Sequence, residues 1–265
     1  MKINDWLASL TQQATPDMDE CVAMLGDTIS WLHRLKATEQ DAEWHAEGNV
    51  HIHTNMVLQE LYQLLANEAQ HIQGWQRQAI ILGTLLHDIA KPIRTRPFEI
   101  AGVQRIGAPQ HEAYGRSYLA FKLLELALPF QVVWTVLNLV GEHHMPKRLS
   151  VKNGSQADYQ TLARQADTEL LYWLEVADMR GRICPDLQQQ LLYLDEYRLF
   201  AEEYGIWGQS QEAKVRAALA PQIDDLPAAI QGYVYARTLY ELESSKISMA
   251  EEAIATTYQH RAEHA

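Results

Sequence analysis

The chain has 265 residues, of which 47% are hydrophobic, and this is enough to bury one large core or two modest ones without disulfides or structural metals. Its net charge of −12, from 34 acidic and 22 basic residues, argues against an extended nucleic acid or an anionic membrane surface as a partner. A small nucleotide or a nucleic-acid terminus remains compatible, because a small phosphate needs only a few local cations.

The cysteines and the N-terminus indicate the compartment. Cys21 and Cys184 form no CxxC motif, and a reducing compartment is a simpler explanation than a disulfide between them. Segment 1–17 lacks the apolar stretch of a signal peptide, and no apolar run approaches the length of a membrane span. We therefore expect a cytoplasmic protein without a membrane partner.

Helical periodicity dominates the chain. Segment 18–37 places its apolar residues on one stripe, which is typical of a helix that packs on a core. Similar stripes follow at 53–69, 75–90, 110–127, 130–143, 158–180, 184–204, 209–219, 226–244 and 248–262. Proline and glycine separate these stripes. No segment shows the alternation of apolar and polar residues that is typical of a strand next to an Asn-Gly or Asp-Gly turn. We predict an all-α fold.

The domain boundary is placed where the histidines thin out. The softest loop, 153–157, lies before Asp178, which belongs to the proposed site, so this loop is interpreted as an excursion within one domain. We predict a core with N-terminal helices at 1–182 and a helical extension at 183–265. The extension either covers the core or forms an interface, and its apolar stripes are compatible with a homodimer.

Six of the eleven histidines lie in four short polar contexts, most of them beside a carboxylate. These contexts are HIHT (51–54), LLHDIAKP (85–92), PQHEA (109–113) and GEHHMP (141–146). A further acidic residue, Asp178, follows in EVADMRGR (175–182).

The pair His87-Asp88 follows an apolar helix and so lies at the edge of a core. A buried, unpaired Asp88 would cost several kcal/mol, and a divalent cation would compensate its charge. Imidazole and carboxylate without thiolate suit Mn, Fe, Co, Ni or catalytic Zn, with Mg as a further candidate. The alternative is a hydrogen-bonded His-Asp pair at a helix C-cap.

Each remaining cluster also has a plain structural alternative. His53 could be an ordinary first-turn helix residue, and His111 a polar cap. The doublet His143-His144 could be a solvated helix end, where a cationic imidazole suits the helix dipole. Asp178 could simply form a salt bridge. We favour one shared metal site because the scattered set offers several ligands from different helices.

The order H…HD…H…HH…D over about residues 40–182 resembles the HD superfamily of metal-dependent phosphohydrolases. A narrower likeness is to the HD domain of bacterial tRNA nucleotidyltransferases, because EWHAEGNVHIHTNMVL (43–58), LLHDIAKP and VADMRGR are similar to segments there. No nucleotidyltransferase catalytic segment is present, so we expect a stand-alone HD module. Asn49 departs from the relatives, which often carry Asp at this position, and this leaves the substrate role of the loop open.

The resemblance implies an HD-domain helical bundle and a set of metal ligands. The ligands of the first ion would be His53, His87, Asp88 and Asp178. Positions that bind a second ion in two-metal members correspond to His111 and to His143 or His144. The resemblance therefore implies one or two divalent ions.

The expected reaction is hydrolysis of a phosphate ester of a nucleotide or an RNA terminus. The relatives act on 2′,3′-cyclic and 2′-phosphates, which implies a 2′,3′-cyclic phosphodiesterase, a 2′-nucleotidase or a phosphatase. The alternative is a non-catalytic nucleotide sensor or scaffold with an HD fold.

Further roles follow from this reaction. Asp88 would bridge two ions or accept a proton from the attacking water, and Lys91 and Arg94 would offset phosphate charge, with helix-end solvation as their alternative. Arg182 is assigned to substrate binding. Glu47 and His45 would line the entrance or stabilise their loop. Trp44 is interpreted as a core or rim residue, with base stacking as the alternative.

Overall fold

The computed structural model describes residues 2–208. Its first α-helices are α1 (Ile3–Ser9), α2 (Met18–Leu25), α3 (Val50–Asn67), α4 (Gly74–Leu86) and α5 (Lys91–Arg94). Strands β1 (Arg96–Ile100) and β2 (Val103–Gly107) precede α6 (His111–Lys122), α7 (Phe130–Glu142), α8 (Met145–Val151), α9 (Gln156–Gln165), α10 (Thr168–Arg180) and α11 (Leu187–Glu203). Two 3₁₀ helices lie at Ser30–Ala37 and Leu123–Glu125.

The all-α prediction is confirmed, but the prediction of one continuous helix at 18–37 is wrong. The α-helix ends at Gly26, whose N–H bonds to the carbonyl of Val22, and the chain resumes as a 3₁₀ helix. The ring of His33 packs so closely that a Cβ on Gly26 would lie 2.5 Å from its Nε2. A side chain at position 26 would displace the His33 ring, so α2 ends where the 3₁₀ helix packs closely against it.

The prediction of one helix at 158–180 is also wrong. Asp167 interrupts it, because its side chain accepts hydrogen bonds from the backbone N–H groups of Glu169 and Leu170 and thereby caps a new helix. The segment predicted at 110–127 likewise ends in a short 3₁₀ helix.

The prediction that no strand occurs is wrong for residues 96–107, which form an antiparallel hairpin with Ile100 opposite Val103. Its two turn residues are Ala101 (φ 49°) and Gly102 (φ 81°), both in the left-handed region that two-residue hairpin turns require. The turn was missed because Ala-Gly is not one of the usual hairpin dipeptides.

The core is built from α3, α4, α7 and α10, with α6 packed on α7. Close contacts fix this arrangement at two glycines. A Cβ on Gly83 of α4 would lie 2.8 Å from Leu139 of α7, and a Cβ on Gly181 would lie 2.8 Å from the Val57 backbone of α3. The second contact holds the end of α10 against the middle of α3.

The predicted extension is described only in part. Helix α11 packs against α8 and α10, with Leu194, Tyr197 and Ala201 buried. The helices predicted at 209–219, 226–244 and 248–262 lie outside the described residues, so the boundary after 182 stays a prediction. Among the described helices, none combines the length and the apolar character that crossing a membrane would take.

Candidate metal centre

The predicted ligands all lie at helix ends, and the core helices bring these ends together. His53 is in the first turn of α3, which begins after Asn49 caps it. His87 and Asp88 follow α4 directly, His111 begins α6, and His143 and His144 join α7 to α8. Asp178 lies in the last turn of α10. Side chains that are distant in sequence therefore converge at one place in the core.

The first group of candidate ligands comprises His53, His87 and Asp178, all buried, with ligand atoms within 4.8 Å of one another. The shortest contact joins His53 Nε2 to Asp178 Oδ1 at 3.0 Å. Asp88 Oδ2 lies 3.3 Å from His87 Nε2. This arrangement of two imidazoles and two carboxylates suits a divalent transition metal.

The second group comprises His111, His143 and His144, whose ligand atoms also lie within 4.8 Å of one another. The Nε2 atoms of His111 and His143 are 3.3 Å apart. Asp88 connects the two groups, because its Oδ1 is 3.0 Å from His111 Nε2 while its Oδ2 faces His87.

Backbone carbonyls fix which ring nitrogens carry protons. The Nδ1 atoms of His87, His111 and His143 lie 2.7 Å, 2.8 Å and 2.8 Å from the carbonyls of Thr84, Ala108 and Val140. Because a carbonyl only accepts hydrogen bonds, Nδ1 must be the protonated atom, and a neutral ring then presents a bare Nε2. This is the state in which imidazole binds a metal.

Nε2 of His53 and Nε2 of His87 are among the buried nitrogens that lack a hydrogen bond within the described part of the chain. The neighbouring carboxylate oxygens of Asp88 and Asp178 lie 3.0–3.7 Å away, but not in hydrogen-bonding geometry. Buried polar atoms without partners are costly, and a cation would satisfy these atoms together. The residues present therefore fit a divalent ion.

The pKa values of His143, His144 and Asp88 agree with this fit. Burial alone would lower the pKa of His87, but the neighbouring Asp88 and Asp178 outweigh it and raise that pKa. Burial lowers the pKa of His143 and of His144 well below the usual value, so both rings are neutral. Burial alone would raise the pKa of Asp88, but the neighbouring His87 and Lys91 outweigh it and hold that pKa well below its usual range. Neutral imidazoles and ionised carboxylates are the forms that bind metals.

Charges also surround the other predicted residues. Lys91 Nζ lies 2.7 Å from Asp88 Oδ2 and donates to Gln40 Oε1 at 2.6 Å. The guanidinium of Arg182 pairs with Asp178, with Nε 3.1 Å from Oδ1. Although burial acts against it, this pair helps to hold the pKa of Asp178 well below its usual range.

Arg94 lies apart from this cluster. Its Nε donates to the carbonyl of Pro109 at 2.9 Å, and its guanidinium lies 4.2 Å from the centre of the Tyr114 ring. These contacts tie α5 to the start of α6, and its assignment to substrate binding stays a prediction.

Glu47 is almost fully buried behind the first ligand. Its Oε1 lies 2.9 Å from Nδ1 of His53 and 2.9 Å from Nδ1 of His45, and its Oε2 accepts the backbone N–H of Ile183 at 2.9 Å. Burial alone would raise the pKa of Glu47, but contacts with both imidazoles hold it below its usual range. Such a carboxylate orients a metal-binding imidazole and increases its basicity.

We expect Glu47→Gln to weaken metal affinity about 10–100-fold, the range known for residues that orient metal ligands. The amide keeps the shape but loses the charge that supports His53. Metal titration followed by calorimetry measures the affinity, and Glu43→Gln, on the exposed side of the same loop, is the control. Equal affinities in wild type and Glu47→Gln would contradict this role.

Some residues that shape the site were not identified from sequence. Gln40 has no motif around it, and only the fold brings it to Lys91. Glu175 is fully buried three residues before Asp178, accepts the N–H of Lys147 at 3.0 Å, and has a pKa that burial raises to about 7. An acidic residue within the apolar run of α10 is the signal that could have identified it.

Comparison with protein families agrees with the geometry. The family model of the HD domain matches residues 51–180, a range that contains every predicted metal ligand. No curated protein matches the chain significantly. The narrower likeness to tRNA nucleotidyltransferases stays a prediction. The match to residues 51–180 supports placing the protein in the HD superfamily.

Proposed function

We propose that this protein is a metal-dependent phosphohydrolase that acts on a nucleotide or on an RNA-terminal phosphate ester. The observation that carries the proposal is the buried pair of bare nitrogens, His53 Nε2 and His87 Nε2, facing the carboxylates of Asp88 and Asp178. In an HD domain this set of ligands suits a divalent ion that supports hydrolysis.

His53, His87, Asp88 and Asp178 would hold one ion. The imidazoles of His111, His143 and His144 would hold another, with Asp88 facing both groups. A divalent ion supplies a Lewis acid for the phosphoryl group and, at neutral pH, an activated water as nucleophile.

The chain's own residues then bind and orient the phosphate. A cavity of about 170 Å³ adjoins the centre and is lined by Lys91, His111, His144 and Arg182, among others. Lys91 and Arg182 offset negative charge on the phosphate oxygens. Asp88 is the carboxylate that faces both ligand groups, and we assign to it the hydrogen bond from the attacking water.

The test is a panel of phosphate esters with protein loaded with Mn, Co or Ni. It contains adenosine 2′,3′-cyclic phosphate, adenosine 2′-monophosphate, adenosine 5′-monophosphate and p-nitrophenyl phosphate. We expect hydrolysis of at least one ester, and loss of that activity in the His87→Ala, Asp88→Ala double variant. Activity that survives the double variant would contradict the proposal, and inactive wild-type protein that still binds nucleotides would favour the sensor.

A further inference from the structure

Two cavities extend from the candidate metal centre, and both contact an aromatic ring. The cavity of about 170 Å³ that contains Lys91 and Arg182 is also lined by Trp44. A cavity of about 500 Å³ is lined by His111 and His144 and by Phe98 of strand β1. A molecule with its phosphate at the metal centre would therefore have these two rings within its surroundings.

The two rings are close but not in full contact. The centroids of Trp44 and Phe98 are 6.4 Å apart with 29° between their planes, whereas Trp31 and Tyr118 of the same chain stack at 3.7 Å and 8°. Trp44 is also 37% exposed, which is high for a tryptophan next to a buried polar site. Part of its surface is therefore open to a ligand.

Contacts with Arg105 and Asp41 hold the Trp44 ring and the hairpin next to each other. The guanidinium of Arg105 lies 5.2 Å from the centre of the Trp44 ring and pairs with Asp41 at 3.2 Å. Asp41 also accepts the backbone N–H of Ile106 at 3.1 Å, which ties the hairpin to the loop that carries Trp44. Rigid aromatic residues lose little conformational entropy when they bind a planar group.

Glycine allows the position of Phe98. Gly107 of strand β2 lies opposite Arg96, diagonally across from Phe98, and a Cβ there would come within 2.6 Å of Cε1 of the Phe98 ring. The phenyl ring therefore lies directly against the backbone that lines both cavities.

We infer that Trp44 and Phe98 form a stacking platform for the nucleobase of the substrate, next to the phosphate at the metal centre. Every nucleobase has a flat face that stacks on aromatic side chains, so stacking does not depend on which base is present. The inference rests on the proposed function for the position of the phosphate. It adds that the substrate carries a planar aromatic base and that the hairpin contributes to its selection.

Binding of two probes that differ only in the base tests this platform. Phosphonate analogues of adenosine 5′-monophosphate and of ribose 5-phosphate, which resist hydrolysis, are titrated by calorimetry into the full-length, metal-loaded protein. We expect the nucleotide analogue to bind about tenfold tighter than the ribose 5-phosphate analogue. Trp44→Leu and Phe98→Leu should each remove most of this preference, and Trp44→Phe should retain it.

Phe121→Leu is the control, because Phe121 is 76% exposed on α6 and lines neither cavity. Circular dichroism confirms that each variant is folded. Equal binding of the two probes by wild type would overturn the platform, as would a Trp44→Leu variant that weakens both probes alike. Hydrolysis is measured separately with metal, so a base preference without turnover would contradict the proposed function and leave the platform supported.

Discussion

Asp88→Asn should reduce kcat on the order of 10³-fold or more, the largest effect that we expect from a single substitution. The carboxylate faces both ligand groups, with Oδ1 3.0 Å from His111 Nε2 and Oδ2 3.3 Å from His87 Nε2. An amide of the same shape has no charge and only one acceptor oxygen, so it cannot serve both groups. Initial rates of phosphate release with saturating Mn measure the effect.

The matched control for this substitution is Asp5→Asn, which removes an exposed carboxylate from α1. It should leave kcat unchanged within about twofold, since surface substitutions have small effects. An Asp88→Asn variant that keeps a tenth or more of the wild-type kcat would contradict the assignment of Asp88 to the metal centre.

Arg182→Met should lower the free energy of unfolding by about 3–5 kcal/mol in the presence of chelator. Asp178 is fully buried, and Arg182 is the cation that binds both of its oxygens. Without it the carboxylate remains buried with its charge uncompensated. For a chain of this size the melting temperature should fall by about 10 °C.

A bound metal should reduce this loss of unfolding free energy, because the ion then compensates the negative charge of Asp178. Thermal unfolding of wild type and Arg182→Met is therefore measured with chelator and with Mn or Ni. Arg180→Met is the control, since Arg180 pairs with Glu68 at 2.9 Å on the surface and such pairs contribute less than about 1 kcal/mol. Equal losses for the two arginines, or no difference between chelator and metal, would contradict this account.

The predicted metal ligands stand out in the sequence because each departs from its context. His87 and Asp88 end an apolar helix, and Asp178 interrupts an apolar run, so charge at a core position was visible without coordinates. The family resemblance then indicated that these separate motifs belong together. The structure places their side chains within a few ångströms of one another.

The residues that orient the ligands could not be predicted in the same way. The carbonyls of Thr84, Ala108 and Val140 are backbone groups, so no side chain marks them in the sequence. Glu47 was identified, but its buried contact with His53 depends on how the loop before α3 folds.

The main errors of the prediction from sequence were breaks between helices that it did not place. At 18–37 and 158–180 the apolar stripe continues through a real break, because residues on both sides of the break face the same core. Periodicity measures burial and does not detect a change in chain direction. The hairpin at 96–107 was not predicted because its strands are only five residues long and are exposed or half-buried. Such strands carry no clear pattern of buried apolar residues.

The metal content of the purified protein tests the central claim most directly. Elemental analysis of the full-length chain should find at least one equivalent of a transition metal, or binding of added Mn, Co, Ni, Fe or Zn with that stoichiometry. The His87→Ala, Asp88→Ala double variant should lose it while remaining folded by circular dichroism. Wild-type protein that neither contains nor binds such an ion would contradict convergence of these side chains on a metal.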